Sequence, residues 1–279
     1  MKIAMLYSLI RVDEKLMIDA AERRNIKLEL VDDRQLVFGL TDRTWKADAV
    51  IERCISHSRA LYALKFLQDY GVTTVNRFEV AQISGDKVLT SLALQKAGVP
   101  TPRTFVAFEP ETAIKAIERV GYPAVMKPIT GSWGRLLAKV DSRHAAEAII
   151  EHKQTLGSYL HHIYYIQEYI DKPQRDIRTF VVGDECIAGV YRENEHWIAN
   201  TARGAKTREC PIDDELRELS LKAAEAVGGG VLAIDVMESP KGMVVHETNY
   251  TMEYKNSIVP TGVDIPGKIL EYTVKEAKR

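Results

Sequence analysis

Cysteine is scarce: Cys54, Cys186 and Cys210 are the three in a chain of 279 residues. None sits in a C-x-x-C pair or beside histidines at zinc spacing, which argues against a disulfide scaffold and a zinc knuckle. Scattered thiols of this kind point to reduced side chains in a cytoplasmic setting. Long hydrophobic runs are also missing. No apolar stretch approaches the roughly 20 residues that span a bilayer. The segment after Met1-Lys2 is too short for a signal-peptide core, so no membrane partner is expected. Charge of one sign is lacking too: 38 Lys and Arg against 39 Asp and Glu leave a net charge of −1. That balance gives no field to draw in nucleic acid. Finally, the first strand–helix turn, residues 7–12, holds no glycine. A dinucleotide site needs glycine there for its pyrophosphate, so this turn is not one.

What is present is alternation. Short apolar strands at 3–7, 28–31, 49–51 and 72–75 are interleaved with helical stripes, among them Leu16, Met17, Ala20 and Ala21, then Ala60, Leu61, Leu64 and Leu67. Such a pattern predicts a parallel α/β unit over 1–84. From 85 to 172 the pattern changes to α+β. A helix opened by Pro110 and stopped by Gly121 lies among strands at 105–108, 123–127, 136–140 and 163–169. The last unit, 173–279, holds two hairpins. The first joins 176–182 to 186–191, and the second joins 231–238 to 243–249 through Ser239-Pro240-Lys241-Gly242.

The second hairpin carries the strongest chemical signal. A three-residue loop with Gly242 in the left-handed position pairs Ser239 with Met243 and sets Asp235 opposite Glu247, with Asn249 on the same face. Opposed side chains lie about 4.5–5.5 Å apart at Cβ, where two carboxylates repel. Two carboxylates and an amide oxygen suit Mg²⁺, which completes its shell with water and phosphate. The competing reading turns one acid to solvent beside a lysine. A one-residue slip in register would separate the acids.

Several cations stand where an anion would be useful. Lys87 follows Gly85-Asp86, and Lys127 ends an apolar strand just ahead of the loop Gly131-Ser132-Trp133-Gly134-Arg135. Small residues let backbone N–H groups approach phosphate, although this loop is neither a P-loop nor G-x-G-x-x-G and, on its own, also reads as a surface turn. Asp176 and Arg178 share a strand face. Arg192, Asn200, Thr201 and Arg203 lie on the polar connection that follows. Arginine forks suit carboxylate and phosphate groups, and equally a solvated charged face.

In this order, Gly85-Asp86-Lys87, Lys127-Pro128, the 131–135 loop, Gln167-Glu168-Tyr169-Ile170, Asp176-Ile177-Arg178, Asp235 and Glu247-Thr248-Asn249 resemble the RimK-like branch of the ATP-grasp superfamily. The stretches 249–257 and 261–267 narrow the resemblance to its LysX group, which joins α-aminoadipate to the acidic, zinc-containing carrier protein LysW. The resemblance implies an ATP-grasp fold in which an α/β pre-ATP-grasp domain precedes two α+β domains that sandwich ATP. It implies that Lys87, Lys127, Gly131, Ser132, Trp133, Gly134, Arg135, Asp176 and Arg178 meet ATP, with Gln167, Glu168, Tyr169 and Ile170 forming the adenine hinge. Asp235, Glu247 and Asn249 would hold one or two Mg²⁺. Arg178 and Arg192 would be catalytic. Arg192, Asn200, Thr201, Arg203, Asn249, Thr251 and Asn256 would meet the substrate. The carrier would approach Arg192, Arg203, Lys206 and Arg208, and the enzyme would be a dimer or tetramer. Asn249-Tyr250-Thr251 with Lys255-Asn256-Ser257 favours α-aminoadipate over the glutamate used by the related ArgX group. One methylene gives only about 1–3 kcal/mol of discrimination, so a bifunctional enzyme stays open. Gly204-Ala205, where relatives often have two glycines, is a departure that does not alter this reading. Other rivals are a RimK-like ligase acting on another protein's C-terminus, a small-molecule ligase of the D-alanine–D-alanine kind, and a nucleotide-binding regulator without turnover.

Overall fold

Alternating apolar strands and amphipathic helices build the N-terminal part as a four-stranded parallel sheet, in a computed structural model that describes residues 1–131, 133–201 and 204–279. Ser132 and Arg203 lie outside the described residues. The elements run β1 (Ile3–Tyr7), α1 (Val12–Arg23), β2 (Leu28–Asp32), β3 (Ala49–Arg53), α2 (His57–Asp69) and β4 (Thr73–Val75), in the sheet order β2-β1-β3-β4. Every residue of β3 is buried, as befits a parallel strand covered on both faces. Helices α3 (Phe78–Ser84) and α4 (Lys87–Lys96) lead out of this sheet. The Asp86 side chain caps α4 by accepting the Val88 and Leu89 N–H groups, which fixes Lys87 at the helix start.

The middle part comprises β5 (Thr104–Ala107), α5 (Pro110–Val120), β6 (Ala124–Lys127), β7 (Ala138–Val140), α6 (Arg143–Leu156) and β8 (Tyr164–Glu168). Its strands form an antiparallel sheet ordered β5-β8-β6-β7. Helices α5 and α6 cover one face around Ile117, Val120, Ile150 and Ile166. Strand β7 is shorter than the expected 136–140. Leu136 has φ 58°, a left-handed conformation that no strand accommodates, so the chain is still turning there.

The last part holds β9 (Arg175–Val182), β10 (Glu185–Glu193), β11 (Lys206–Glu209), α7 (Asp214–Ala226), β12 (Val231–Ser239), β13 (Gly242–Asn249), α8 (Ile258–Thr261) and α9 (Ile265–Glu276). The sheet order is β11-β10-β9-β12-β13. Ile234 and Val236 on one face pack with α4 and α7 through Leu94, Leu216 and Ala223. The opposite face shares a core with the N-terminal sheet, where Phe180, Val190 and Ala233 meet Ile3, Met5 and Ile51. Beyond that core the same face carries Asp235 and looks into a cleft.

The β12–β13 hairpin departs from the expected turn. Ser239 pairs with Gly242, so the loop has two residues rather than three. Continued regularly, that register would set His246 opposite Asp235 and send Glu247 to the α7 side. A bulge between Val236 and Asp235 restores the count: Val236 pairs with Val245, and Asp235 pairs with Glu247. His246 is the extra residue. The shorter turn and the bulge offset each other, which keeps both acids on one face.

Candidate active site

The cleft between the middle and last sheets encloses about 450 Å³. Its floor is the bulged hairpin. Asp235 is buried and accepts two bonds from Arg178, Nε to Oδ1 at 2.7 Å and Nη2 to Oδ2 at 2.8 Å. Arg192 Nη2 lies 3.2 Å from Asp235 Oδ2, while its Nε donates to buried Asp176 at 2.6 Å. Burial pushes the Asp235 carboxyl up, but the two guanidinium groups outweigh it and hold the group well below the usual carboxylate range. Burial dominates for Asp176, whose carboxyl is raised despite Arg192. Arg192 in turn is held charged by the two acids against the cost of burial.

Glu247 faces the same space, 3.3 Å from Lys87 Nζ, and Asn249 Nδ2 approaches Asp235 Oδ2 at 3.5 Å. The three expected metal donors therefore converge. Among the described residues no group of three or more His, Cys, Asp or Glu side chains is arranged to hold a metal ion. Two carboxylates and one amide oxygen still fit Mg²⁺, provided that phosphate and water fill the remaining positions.

Lys87 Nζ also donates to the Gly131 carbonyl at 3.1 Å, tying α4 to the glycine loop. Lys127 is buried at the mouth of β6, donating to Gln167 Oε1 at 2.7 Å. Desolvation, together with nearby Lys87, lowers its ammonium to about 8 against the pull of Glu247 and Asp235. Gln167 itself does not line the cleft. Strand alternation turns it with Tyr165 away from the middle core, and its amide donates to Tyr165 and Thr104 while its oxygen holds Lys127. The side chain orients the lysine, while the backbone of 167–170 is the part expected to meet adenine. Glu168, Tyr169 and Ile170 do line the cleft, and Glu168 accepts the Arg103 N–H at 2.7 Å.

Gly131, Trp133, Gly134 and Arg135 line the cleft. Gly131 and Gly134 take positive φ, and Trp133 does so at 62° without being glycine, a conformation that must be held by its contacts. Arg135 stacks on the Trp133 ring at 4.9 Å, and Trp133 Nε1 donates to Glu253 Oε1 at 3.2 Å. Asn200 and Thr201 line the same cleft. Asn256 lines a small recess that shares Arg178, Arg192, Thr201 and Glu253 with the main cavity. Thr251 donates to Glu52 Oε2 at 2.6 Å, so this side chain is committed to the N-terminal sheet.

Sequence reading had passed over several lining residues. Glu253 and Arg11 meet at 3.1 Å across 242 positions of chain, a contact without a local signal. His57 and Tyr250, 2.8 Å apart, are equally remote in sequence. His246 reaches the cleft because of the bulge, and both its ring nitrogens are buried with no partner among the described residues. Met237 could have been found: it shares the Asp235 face two residues along β12.

Comparison with known proteins agrees with this architecture. Residues 84–273 match the RimK-like ATP-grasp domain and residues 3–83 the LysX preATP-grasp domain. The chain is 36% identical over 273 residues to the α-aminoadipate–LysW ligase LysX of Saccharolobus solfataricus, covering 96% of this chain and 99% of that one. It is 34% identical over 280 residues to the glutamate–LysW ligase ArgX of Sulfurisphaera tokodaii, covering 99% of each. A solved RimK domain ATP-grasp protein from Sphaerobacter thermophilus superposes with a TM-score of 0.83 at 27% identity, covering 98% of this chain and all of that one. With its hairpin acids, paired lysines and glycine loop assembled around one cleft, this chain belongs to the RimK-like ATP-grasp family.

Proposed function

We propose that this chain is an ATP-dependent ligase joining the α-amine of α-aminoadipate to the C-terminal glutamate side chain of a LysW-type carrier protein. The observation that carries the ligase chemistry is the convergence of Asp235, Glu247 and Asn249 beneath Lys87 and Lys127. End-to-end similarity to a LysX supports the substrate pair. Asn249-Tyr250-Thr251 lining the cleft supports the same choice.

In this reading Lys87, Lys127 and the amides of the glycine loop bind the phosphates of ATP, with Glu168 to Ile170 against the base. Mg²⁺ on Asp235, Glu247 and Asn249, one ion or two, would neutralise charge building on the phosphates. The carrier carboxylate attacks the γ-phosphate, giving an acyl phosphate and ADP. The amine then attacks the acyl carbon, and Arg178 or Arg192 steadies the tetrahedral oxyanion. The loop over the cleft excludes water that would hydrolyse the acyl phosphate. Of the cations expected to meet the acidic carrier, Lys206 and Arg208 on β11 are exposed, the latter paired with Glu193 at 3.0 Å, whereas Arg192 is buried and cannot face it.

The test is ADP release with Mg²⁺-ATP and a LysW-type carrier, comparing α-aminoadipate with glutamate. Preference for α-aminoadipate is expected. Equal rates would make the enzyme bifunctional, and preference for glutamate would place it with the ArgX relative, which matches over nearly the whole chain. Release without carrier dependence would remove the carrier from the reading.

A further inference from the structure

The amine that completes the reaction arrives as an ammonium and must lose its proton before it can attack. Five carboxylates line the cleft: Glu168, Asp176, Asp235, Glu247 and Glu253. Four are committed. Asp235 and Glu247 belong to the cation site, Asp176 is locked to Arg192, and Glu168 binds the Arg103 backbone on the hinge. Glu253 remains. It also lines the recess beyond the cleft, where its neighbours include Arg178, Arg192, Lys255 and Ser257. Among the described residues no other acid lines that recess, which at about 10 Å³ holds no amino acid itself; of its cations, Lys255 is the one not paired with Asp176 or Asp235.

Glu253 is firmly placed. Its Oε1 accepts from both Arg11 Nη1 at 3.1 Å and Trp133 Nε1 at 3.2 Å, and Oε2 accepts no bond from a described residue. The chain on either side is pinned to the N-terminal unit. Arg53 donates to the Met252 carbonyl at 2.6 Å, and Asp13 accepts the Tyr254 and Lys255 N–H groups at 2.6 and 2.9 Å.

We propose that Glu253 is a catalytic residue of the amide-forming step, holding the incoming α-ammonium through Oε2 and taking its proton. This rests on the ligase reading above. The nitrogen lone pair then attacks the acyl carbon of the acyl phosphate. The C–N bond forms first, and collapse of the tetrahedral oxyanion then breaks the C–O bond to phosphate while the nitrogen gives up a second proton. Phosphate leaves carrying one proton, and the other passes through Glu253 to solvent. The same carboxylate grips the loop over the phosphates, so amine binding and loop position meet at one side chain.

Glu253→Gln separates the two roles, because the amide oxygen still accepts from Trp133 and Arg11 while the negative charge is gone. The experiment follows both half-reactions with a LysW-type carrier and Mg²⁺-ATP. Hydroxylamine, which is already neutral at pH 7.5, traps the acyl phosphate as a carrier hydroxamate. α-Aminoadipate reports the complete reaction. For Glu253→Gln, hydroxamate formation is expected within about threefold of the parent, and amide formation about a hundredfold lower. Trp133→Phe, which breaks the grip but keeps the charge, is expected to lower both in equal proportion. Equal loss of hydroxamate and amide in Glu253→Gln, or loss of neither, overturns the proposal. A parent enzyme that yields no carrier hydroxamate overturns the ligase reading itself, and the role of Glu253 falls with it.

Discussion

Arg178 covers both carboxylate oxygens of Asp235, at 2.7 and 2.8 Å, so a cation reaching that acid must displace a charge-assisted hydrogen bond. The acid serves two masters, the buried arginines and the expected Mg²⁺. Asp235→Asn removes the charge while Arg178 and Arg192 stay in place, and breaking a buried pair from one side costs about 3–5 kcal/mol. Denaturant unfolding should report a loss of that size, and ADP formation should fall about a hundredfold or more. A variant of unchanged stability would mean that the arginines find other partners.

Lys127 predicts a proton balance. Its ammonium titrates near 8 in the cleft, and phosphate beside it restores the charged form. ATP binding above pH 8 should therefore take up a proton, and affinity should decline as pH rises through that value. Calorimetry in two buffers of different ionisation enthalpy reads the uptake directly. Lys127→Met should abolish it. Uptake that persists in this variant would assign the proton to another group.

His246 predicts an acid limb of stability. Burial, with Lys127 beside it, drives its imidazole well below the ordinary value of about 6.5. Below that pH the unfolded chain binds a proton that the folded chain refuses. Stability should therefore fall by about 1.4 kcal/mol per unit as pH drops from 6.5 toward the folded value. His57 is also lowered, by burial, but it is present in both proteins of the comparison and cancels. His246→Leu keeps the bulge and should flatten this part of the profile. Equal slopes in parent and variant would show that the ring is protonated in the fold.

Gln167→Leu tests the role of that side chain. Lys127 loses the acceptor at 2.7 Å while staying buried, so KM for ATP should rise about tenfold with the hinge unchanged. If the base is read through the Gln167 side chain instead, selectivity for ATP over GTP should change as well.

The chain announced its strands, helices and charged groups through short-range patterns: period-two strands, Pro110 and Gly121 bounding α5, and Lys127 closing an apolar run. The Asp235–Glu247 pairing was also legible, but by way of a turn that does not form. Pro240 and Gly242 fit a three-residue loop as well as a two-residue one, and no residue type marks a bulge at His246, so two departures from the expected ladder compensated. A hinge motif says nothing about which face a side chain takes, so the contact of Gln167 with Lys127 was not legible in it. Arg11 with Glu253, and His57 with Tyr250, depend on the N-terminal sheet docking onto the last one, and contacts of that span leave no local trace.

That docking has a consequence for transplanting specificity. Residues 249–257 look like a portable cassette. Their backbone is nevertheless bolted to the N-terminal unit: Asp13 holds two of its amides, Arg53 holds the Met252 carbonyl, and Glu14 keeps Arg53 in place. A graft of this cassette into a relative would carry the words of the recognition code without the page they are written on, unless Asp13, Glu14 and Arg53 travel with it.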